Sequence, residues 1–370
     1  MKQTKLILME GLPSTGKSTN SGFLLEQMEK NGQRAKWVHE VARPHPTLFF
    51  FEASLDEIEY RDYISRYPHT ASILEKQTTK HRNSYGIDLL EIEWNQFEFF
   101  GEDAFLDLKQ YDVWNYPIDR YVEIAAEKWT SFVKKQMASD EIVILDSSIF
   151  QFQIYSFLLA GKSYEDLRSF IRELFDIITP LNPTLVYLYR ENTNDTIDFL
   201  VRDRGMHFME SIWERDRNRP YYKDRPSGSE GYKMFLLDYG KYANMLFEIT
   251  PFPKLALEIT EGNWSKYQHS LLQFLDIPYI ESGHNHRFYP SGRYHSLTLD
   301  QHVEISGDYF ITPSGGKKRI SPKSKTEFCL SDIPVRIQII DENLILTGEQ
   351  LCEKWTTRGT VYRKVVDVTN

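Results

Sequence analysis

The sequence predicts an α/β chain: a five-stranded parallel core sheet with flanking helices, followed by a small C-terminal antiparallel β domain. Three observations carry this reading. The N-terminus runs from an apolar segment through a glycine-rich loop into a helical pattern. Short apolar runs then alternate with helical stretches, as strands joined by helical crossovers do. Near Pro278 the helical periodicity gives way to short alternating segments rich in turn residues.

The first strand is "KLILM" (Lys5 to Met9), apolar enough to be buried on both faces of a sheet. The loop that follows, "EGLPSTGKST", has the Gly-x4-Gly-Lys-Ser spacing of a Walker A phosphate loop. The chemistry explains the spacing. Gly11 and Gly16 frame Leu12, Pro13, Ser14 and Thr15, so that backbone N–H groups turn inward around an anion. Lys17 brings an ammonium to the β- and γ-phosphates, and Ser18 offers a hydroxyl to Mg²⁺, with Thr19 beside it. Phe23, Leu24, Leu25 and Met28 then recur at helical spacing, and Gly32 marks a stop. A helix N-terminus at the loop adds its dipole to the attraction for phosphate. ATP and Mg²⁺ are the expected cofactors.

The second strand is expected at "AKWVHE" (Ala35 to Glu40). The third runs from Ile142 to Leu145 and ends in Asp146, the fourth from Leu185 to Tyr189, and the fifth from Lys254 to Thr260. In an open parallel sheet, ligands bind beyond the carboxyl ends of the strands. Gly11, Glu40 and Asp146 all stand at such ends, so one crevice should collect them. Asp146 is expected to join Ser18 on the metal, and Glu40 to accept a proton from an attacking hydroxyl.

A stretch at about residues 50–140 is long for a crossover and carries helical patterns such as "SLDEIEYRDYISRY". This helical insertion is where the acceptor pocket is expected. Its loop "YDVWNYPIDRY" sets aromatics beside Asp112 and Arg120, a mixture suited to a ring-bearing or polyhydroxyl acceptor. Tyr111, Asp112, Arg120, Arg43 and Glu40 are therefore the candidate substrate-binding residues. After the fourth strand, Arg202 and Arg204 are candidates for closing over transferring phosphates. Arg215, Arg217 and Arg219 are interleaved with acidic residues and read equally well as ion-paired surface.

From residue 280 to 370 the chain reads as short strands ("GDYFIT", "TEFCL", "VRIQIID", "NLILTG", "TVYRKVV"), with a hairpin connection at Asp341-Glu342-Asn343. This tail is expected to be a separable domain after a nucleotide-binding unit at 1–279. His284, His286, His295 and His302 match no common metal spacing and read as structural. The formal charge of −9 argues against a general nucleic-acid surface. Two cysteines, no leader-like segment and no long apolar run point to a cytoplasmic protein that does not enter membranes. Oligomeric state is left open by the sequence.

The phosphate loop, the Glu after strand two, the Asp after strand three and "PTLVYLYRENTNDTIDFLVRDRG" resemble the thymidylate kinase and deoxynucleoside kinase superfamily. More closely, "MEGLPSTGKST", "HEVARPHP", "YDVWNYPIDRY" and "ILDSSIFQ" resemble bacterial P-loop proteins described only as kinase-like NTPases. The resemblance spans about residues 1–279. It implies a catalytic carboxylate at Glu40, lid arginines at Arg202 and Arg204, and transfer of the γ-phosphate of a nucleoside triphosphate to a small-molecule hydroxyl. In that superfamily Asp-Arg or Glu-Arg usually follows the third strand, whereas here Ser147 and Ser148 follow Asp146. That departure favours a neutral acceptor over a phosphorylated one. An NTP hydrolase or nucleotide switch, with the β domain binding a partner, is the alternative.

Overall fold

The computed structural model describes residues 4–281 and 289–365. Its centre is a five-stranded sheet formed by β1 (Leu6–Gly11), β2 (Ala35–Val38), β6 (Ile142–Asp146), β7 (Thr184–Tyr189) and β8 (Lys254–Glu258). The spatial order is β2-β6-β1-β7-β8, with every pairing parallel. The three central strands are almost wholly buried and the two outer ones only in part. Side-chain alternation therefore serves two cores. Leu6, Leu8, Leu145 and Leu185 face one core, packed beneath the helices Ile118–Met137, Gln151–Leu159 and Gly228–Ile249. Ile7, Met9, Ile144 and Val186 face the other, against the helices Lys17–Lys30 and Trp264–Phe274. The result is a three-layer α/β core.

Two strands end earlier than their apolar runs suggest. β2 stops at Val38, two residues before Glu40, because the chain there leaves the sheet: Ala42 forms an isolated bridge with Leu351 of the C-terminal region. β8 stops at Glu258, whose carboxylate turns back onto the Thr260 N–H at 3.0 Å.

The insertion is only partly helical, which corrects the expectation for about residues 50–140. β3 (Glu52–Asp56), β4 (Thr78–Lys80) and β5 (Ser84–Asp88) form an antiparallel sheet in the order β3-β5-β4. Their alternation is limited to two apolar positions apiece, Ala53 and Leu55 in β3 and Tyr85 and Ile87 in β5, too short to stand out from the helical patterns around them. Their inward positions, Ala53, Leu55 and Ile87, join Tyr63, Leu74 and Phe105 in a small core of their own.

The C-terminal region is a closed barrel. Its strands are β9 (Gly292–Ser296), β10 (Gln301–Ser306), β11 (Tyr309–Ile311), β12 (Lys317–Pro322), β13 (Glu327–Leu330), β14 (Val335–Ile340), β15 (Asn343–Gly348) and β16 (Val361–Lys364). Successive strands pair antiparallel, and β16 returns to β9 through Arg363–His295 and Lys364–Tyr294. Closure removes the sheet edges. Tyr294, Phe310, Phe328, Ile337 and Tyr362 are fully buried inside. Asp341 and Glu342, at φ 47° and 63°, form the two-residue turn between β14 and β15, the conformation a tight hairpin requires.

The barrel is docked on the core. Glu29, late in the helix Lys17–Lys30, receives Arg336 at 2.7 Å and also pairs with Lys323. The Arg43 N–H donates to the Gln350 carbonyl at 2.8 Å and the Cys352 N–H to Val41 at 3.0 Å. A Cβ on Gly22 would stand 2.9 Å from the Ser331 carbonyl, so only glycine allows this approach of barrel to helix. Among the described residues, no helix is long and apolar enough to cross a membrane.

Candidate functional site

β1 ends in the glycine-rich loop, and the loop's two glycines are sterically required. Gly11, at φ 151°, lies so close to β7 that a Cβ would stand 2.4 Å from the Leu188 carbonyl. Gly16, at φ 83°, would press a Cβ to 2.7 Å from the Trp264 ring. Thr15 Oγ1 and Lys17 Nζ both donate to the Leu12 carbonyl at 2.8 Å, which folds the loop into a compact cradle. Ser14, itself at positive φ, donates to Asp203 at 3.0 Å and so ties the loop to the helix Thr193–Arg204.

Asp146 ends the neighbouring strand β6 and is completely buried. Its Oδ1 accepts from the Ser147 hydroxyl at 2.9 Å, while its Oδ2 is buried with no partner. Burial raises its carboxyl above the usual range, with His39, Lys17 and the Ser18 hydroxyl pulling the other way. A buried carboxylate oxygen without a donor is costly unless something cationic meets it. Asp146 Oδ2 and the Ser18 hydroxyl make an all-oxygen pair of the kind Mg²⁺ takes, so these residues fit that ion.

Glu40 lies in the turn after β2 and accepts from the Gln151 amide. Burial pushes its carboxyl up, but His39, Lys17, the Gln151 bond and Arg204 outweigh it and leave it below the ordinary value. The neighbouring carboxylates Asp146 and Glu40 are thus shifted in opposite directions, a division that suits different roles. His39 lies close enough to both to pull their carboxyls down. Its Nδ1 accepts from the Val41 N–H at 3.3 Å, and its Nε2 lies 3.4 Å from Ser18 Oγ.

Lys17, Ser18, His39 and Glu40 line one cleft of about 910 Å³ at the carboxyl ends of the strands. Of the three residues expected to share one crevice, Glu40 lines it, whereas Gly11 and Asp146 do not; Ser147, next to Asp146, does. On one side stand Trp114, Phe152 and Tyr155, with Phe152 edge-on to Trp114 and to Phe50. Above it a helical hairpin turns at Gly205, joining Thr193–Arg204 to Met206–Asp216. Arg204 and Arg215 of this hairpin face the cleft. Arg215 is held by Asp216 through Nε at 2.8 Å and Nη2 at 2.6 Å.

Several expected residues are engaged elsewhere. Arg202 lines a separate cavity of about 850 Å³ with Arg190 and Trp264, on the other side of the hairpin from Arg204. Two helical positions apart, the two guanidiniums cannot share a face. Arg43 is buried against Asp88 and Glu91, each at 3.3 Å, and lies over the Trp94 ring, so it fastens the insertion rather than facing the cleft. Arg120 pairs with Glu59 and stacks on Tyr116 at 4.1 Å. Asp112 caps the Trp114 N–H at 3.0 Å, and Tyr111 packs on the insertion's own core. Of the Tyr111–Tyr121 loop, Trp114 is the residue that reaches the cleft. Arg217 pairs with Glu214, and Arg219 donates to the Trp114 carbonyl at 2.6 Å.

Sequence reasoning passed over Glu10, His39, Gln151 and Trp264. Glu10 is fully buried one residue before Gly11 and accepts the N–H groups of Ser148 at 2.9 Å, Ile149 at 2.7 Å and Gln151 at 3.2 Å. A charged residue ending an otherwise apolar strand was the available signal. His39 adjoins the expected carboxylate. Gln151 and Trp264 have no local pattern to mark them. His295 and His302 pair across β9 and β10 and stack at 4.3 Å; His284 and His286 lie outside the described residues. No group of three or more potential metal ligands from His, Cys, Asp and Glu occurs among the described residues.

No family model matches the chain. No curated protein matches it either. Among solved structures, it is similar to a sulfotransferase domain from the curacin biosynthetic pathway, with 12% identity, 76% of each chain covered and a TM-score of 0.30. A likeness at that level carries no argument about this chain.

Proposed function

We propose that the protein is a phosphotransferase of the P-loop kinase type, moving the γ-phosphate of ATP to a hydroxyl of a small molecule. One observation carries the reading: the orphaned Asp146 carboxylate oxygen, buried next to Ser147, which lines the cleft together with Lys17, Ser18 and Glu40. On this reading residues 1–279 are the nucleotide-binding unit. The loop Gly11–Thr19 wraps the phosphates with backbone N–H groups. Lys17 exchanges the Leu12 carbonyl for phosphate oxygens, a stronger, charge-assisted contact. Ser18 and Asp146 hold Mg²⁺, which supplies charge neutralisation to the phosphates.

Glu40, held ionised and fixed by Gln151, orients the acceptor hydroxyl and takes its proton. The hydroxyl oxygen bonds to the γ-phosphorus as the bond to the β–γ bridging oxygen breaks, and ADP departs. Arg204 meets the charge that spreads over the transferring group. Trp114, Phe152 and Tyr155 form a wall for the acceptor and exclude water, which supports an organic hydroxyl over hydrolysis.

The test is a screen of nucleosides and polar metabolites for acceptor-dependent ADP formation with ATP and Mg²⁺, run beside Lys17→Ala. A hit that is lost in the folded variant supports the reading. Phosphate release at the same rate with and without every acceptor would replace the kinase with a hydrolase. Unchanged ATP affinity and turnover in Lys17→Ala would remove the site itself.

A further inference from the structure

The barrel supplies part of the cleft wall, and it does so at two separate corners. At one, Leu351 and Glu353 stand against Val41, close to Glu40, where the Ala42–Leu351 bridge holds the chain. At the other, Lys318, Asp332 and Ile333 face Thr19, Trp264 and Gln268. Thr19, Gln268 and Ile333 also border a second cavity that runs between the helix Lys17–Lys30 and the barrel, which fixes this corner at the start of that helix. The Ser331 carbonyl against Gly22 pins the same barrel loop.

The second corner carries an unfilled hydrogen-bonding position. Lys318 Nζ donates to Asp332 Oδ2 at 2.7 Å, whereas Oδ1 is shielded and has no partner, on a side chain that is itself 35% exposed at the cleft. Such an acceptor is costly to leave unmade, and a ligand hydroxyl is the donor that would satisfy it. The corner's position selects which hydroxyl. Thr19 follows Ser18 and Trp264 lies against Gly16, so this corner adjoins the phosphate loop, where the sugar of a nucleotide would follow its phosphates. The opposite corner, by Glu40 and Gln151, belongs to the acceptor. Resting on the phosphotransferase reading above, we infer that Asp332 of the barrel is a specificity-determining residue that accepts a hydrogen bond from the ribose of the bound nucleotide. The C-terminal domain thereby selects ribonucleoside over deoxyribonucleoside triphosphates, with Lys318 holding the carboxylate in place.

Equilibrium binding of Mg²⁺ complexes of ATP, 2′-deoxy-ATP and 3′-deoxy-ATP to the full chain tests this. The intact protein is expected to bind ATP about tenfold or more tightly than at least one deoxy analogue, the scale of a hydrogen bond to a charged group. Asp332→Ala should bring the affinities within about twofold of each other, chiefly by weakening ATP. Asp332→Asn keeps the shape and one acceptor oxygen and should retain part of the preference. A merely structural role would weaken all three nucleotides together and leave their ratio unchanged, which overturns the inference. So does an intact protein that binds all three alike. Failure of every nucleotide to bind the intact protein would instead overturn the phosphotransferase reading, and this inference with it.

Discussion

Glu10 sits at the joint between the glycine-rich loop and the segment after β6, and its titration is a test of that joint. Burial lifts its carboxyl from an ordinary 4.5 to about 7, against backbone N–H groups and Lys17 that pull it down. Between those values the folded chain holds a proton that the unfolded chain has released. Stability therefore falls as pH rises from 4.5 to about 7, by about 3 kcal/mol in all, and is level above that window. Glu10→Gln is neutral throughout and leaves one oxygen for the N–H groups, at a cost of about 1–3 kcal/mol near pH 5. Its deficit should shrink or reverse by pH 8; urea unfolding of both proteins at the two pH values checks this, and a constant difference would refute it. Glu40 is shifted the other way, so it is ionised above its ordinary value and should impose no acid limb on activity above about pH 5. Glu40→Gln should lower acceptor phosphorylation by about a hundred- to ten-thousand-fold while ATP affinity stays within a few-fold. Asp146→Asn should act on the metal instead, raising the Mg²⁺ concentration needed for half-maximal activity. An unaltered Mg²⁺ titration would reduce Asp146 to a strand-end cap.

The helical hairpin over the cleft is the element on which sequence and structure differ most usefully. Arg202 and Arg204 read alike in the sequence, both in the last turn of one helix. The fold separates them: Arg204 looks onto the cleft, Arg202 into the cavity beside Arg190. Arg204→Ala should therefore slow phosphoryl transfer about a hundredfold or more, whereas Arg202→Ala should leave the chemical step near the parent rate. Single-turnover measurements at saturating ATP separate the two, and equal losses would show that the hairpin rearranges on binding. The contrast explains what the sequence could convey. The strands of the core were legible because continuous apolar runs such as Ile142–Leu145 have few other destinations, and the glycine-rich loop because its steric demands are local. Arg43, Asp112 and Arg120 misled because charge beside aromatics is equally the mark of a buried fastening. Arg43 and Arg120 meet Glu91 and Glu59 only through the fold of the insertion, whereas Asp112 caps Trp114 two residues on. Gln151, Trp114 and Trp264 converge from three distant segments, and no spacing rule could gather them.

At the scale of the whole molecule, the question is whether the barrel is cargo or part of the machine. The shift in composition after Pro278 suggests a detachable domain, and the barrel is a closed sheet with a filled interior, but its buried residues form one continuous hydrophobic cluster with the α/β core. Its docking is extensive. Gly22 admits the Ser331 carbonyl, the 350–352 segment pairs with 41–43, and Glu29 binds two barrel cations. Burial works against the Glu29 carboxylate, but its bonds to Lys323 and Arg336 prevail and lower its pKa. That contribution to docking is therefore present above the ordinary carboxylate value and lost as pH falls below it. A protein shortened to residues 1–279 would lose the cleft walls at Lys318, Asp332, Leu351 and Glu353 and uncover the outer face of the helix that starts at Lys17. The five-stranded sheet pairs wholly within residues 1–279, which predicts that the shortened chain keeps its helical circular dichroism. The shared cleft predicts that it binds ATP·Mg²⁺ at least about tenfold more weakly than the intact protein, because ordered wall groups are replaced by water. Milder evidence comes from Glu29→Lys, which sets like charges against Lys323 and Arg336 and should weaken ATP binding in the same direction without removing any cleft residue. Isothermal titration of the three proteins decides the matter: equal affinities would make the barrel an appendage, and graded loss would make it a wall of the site.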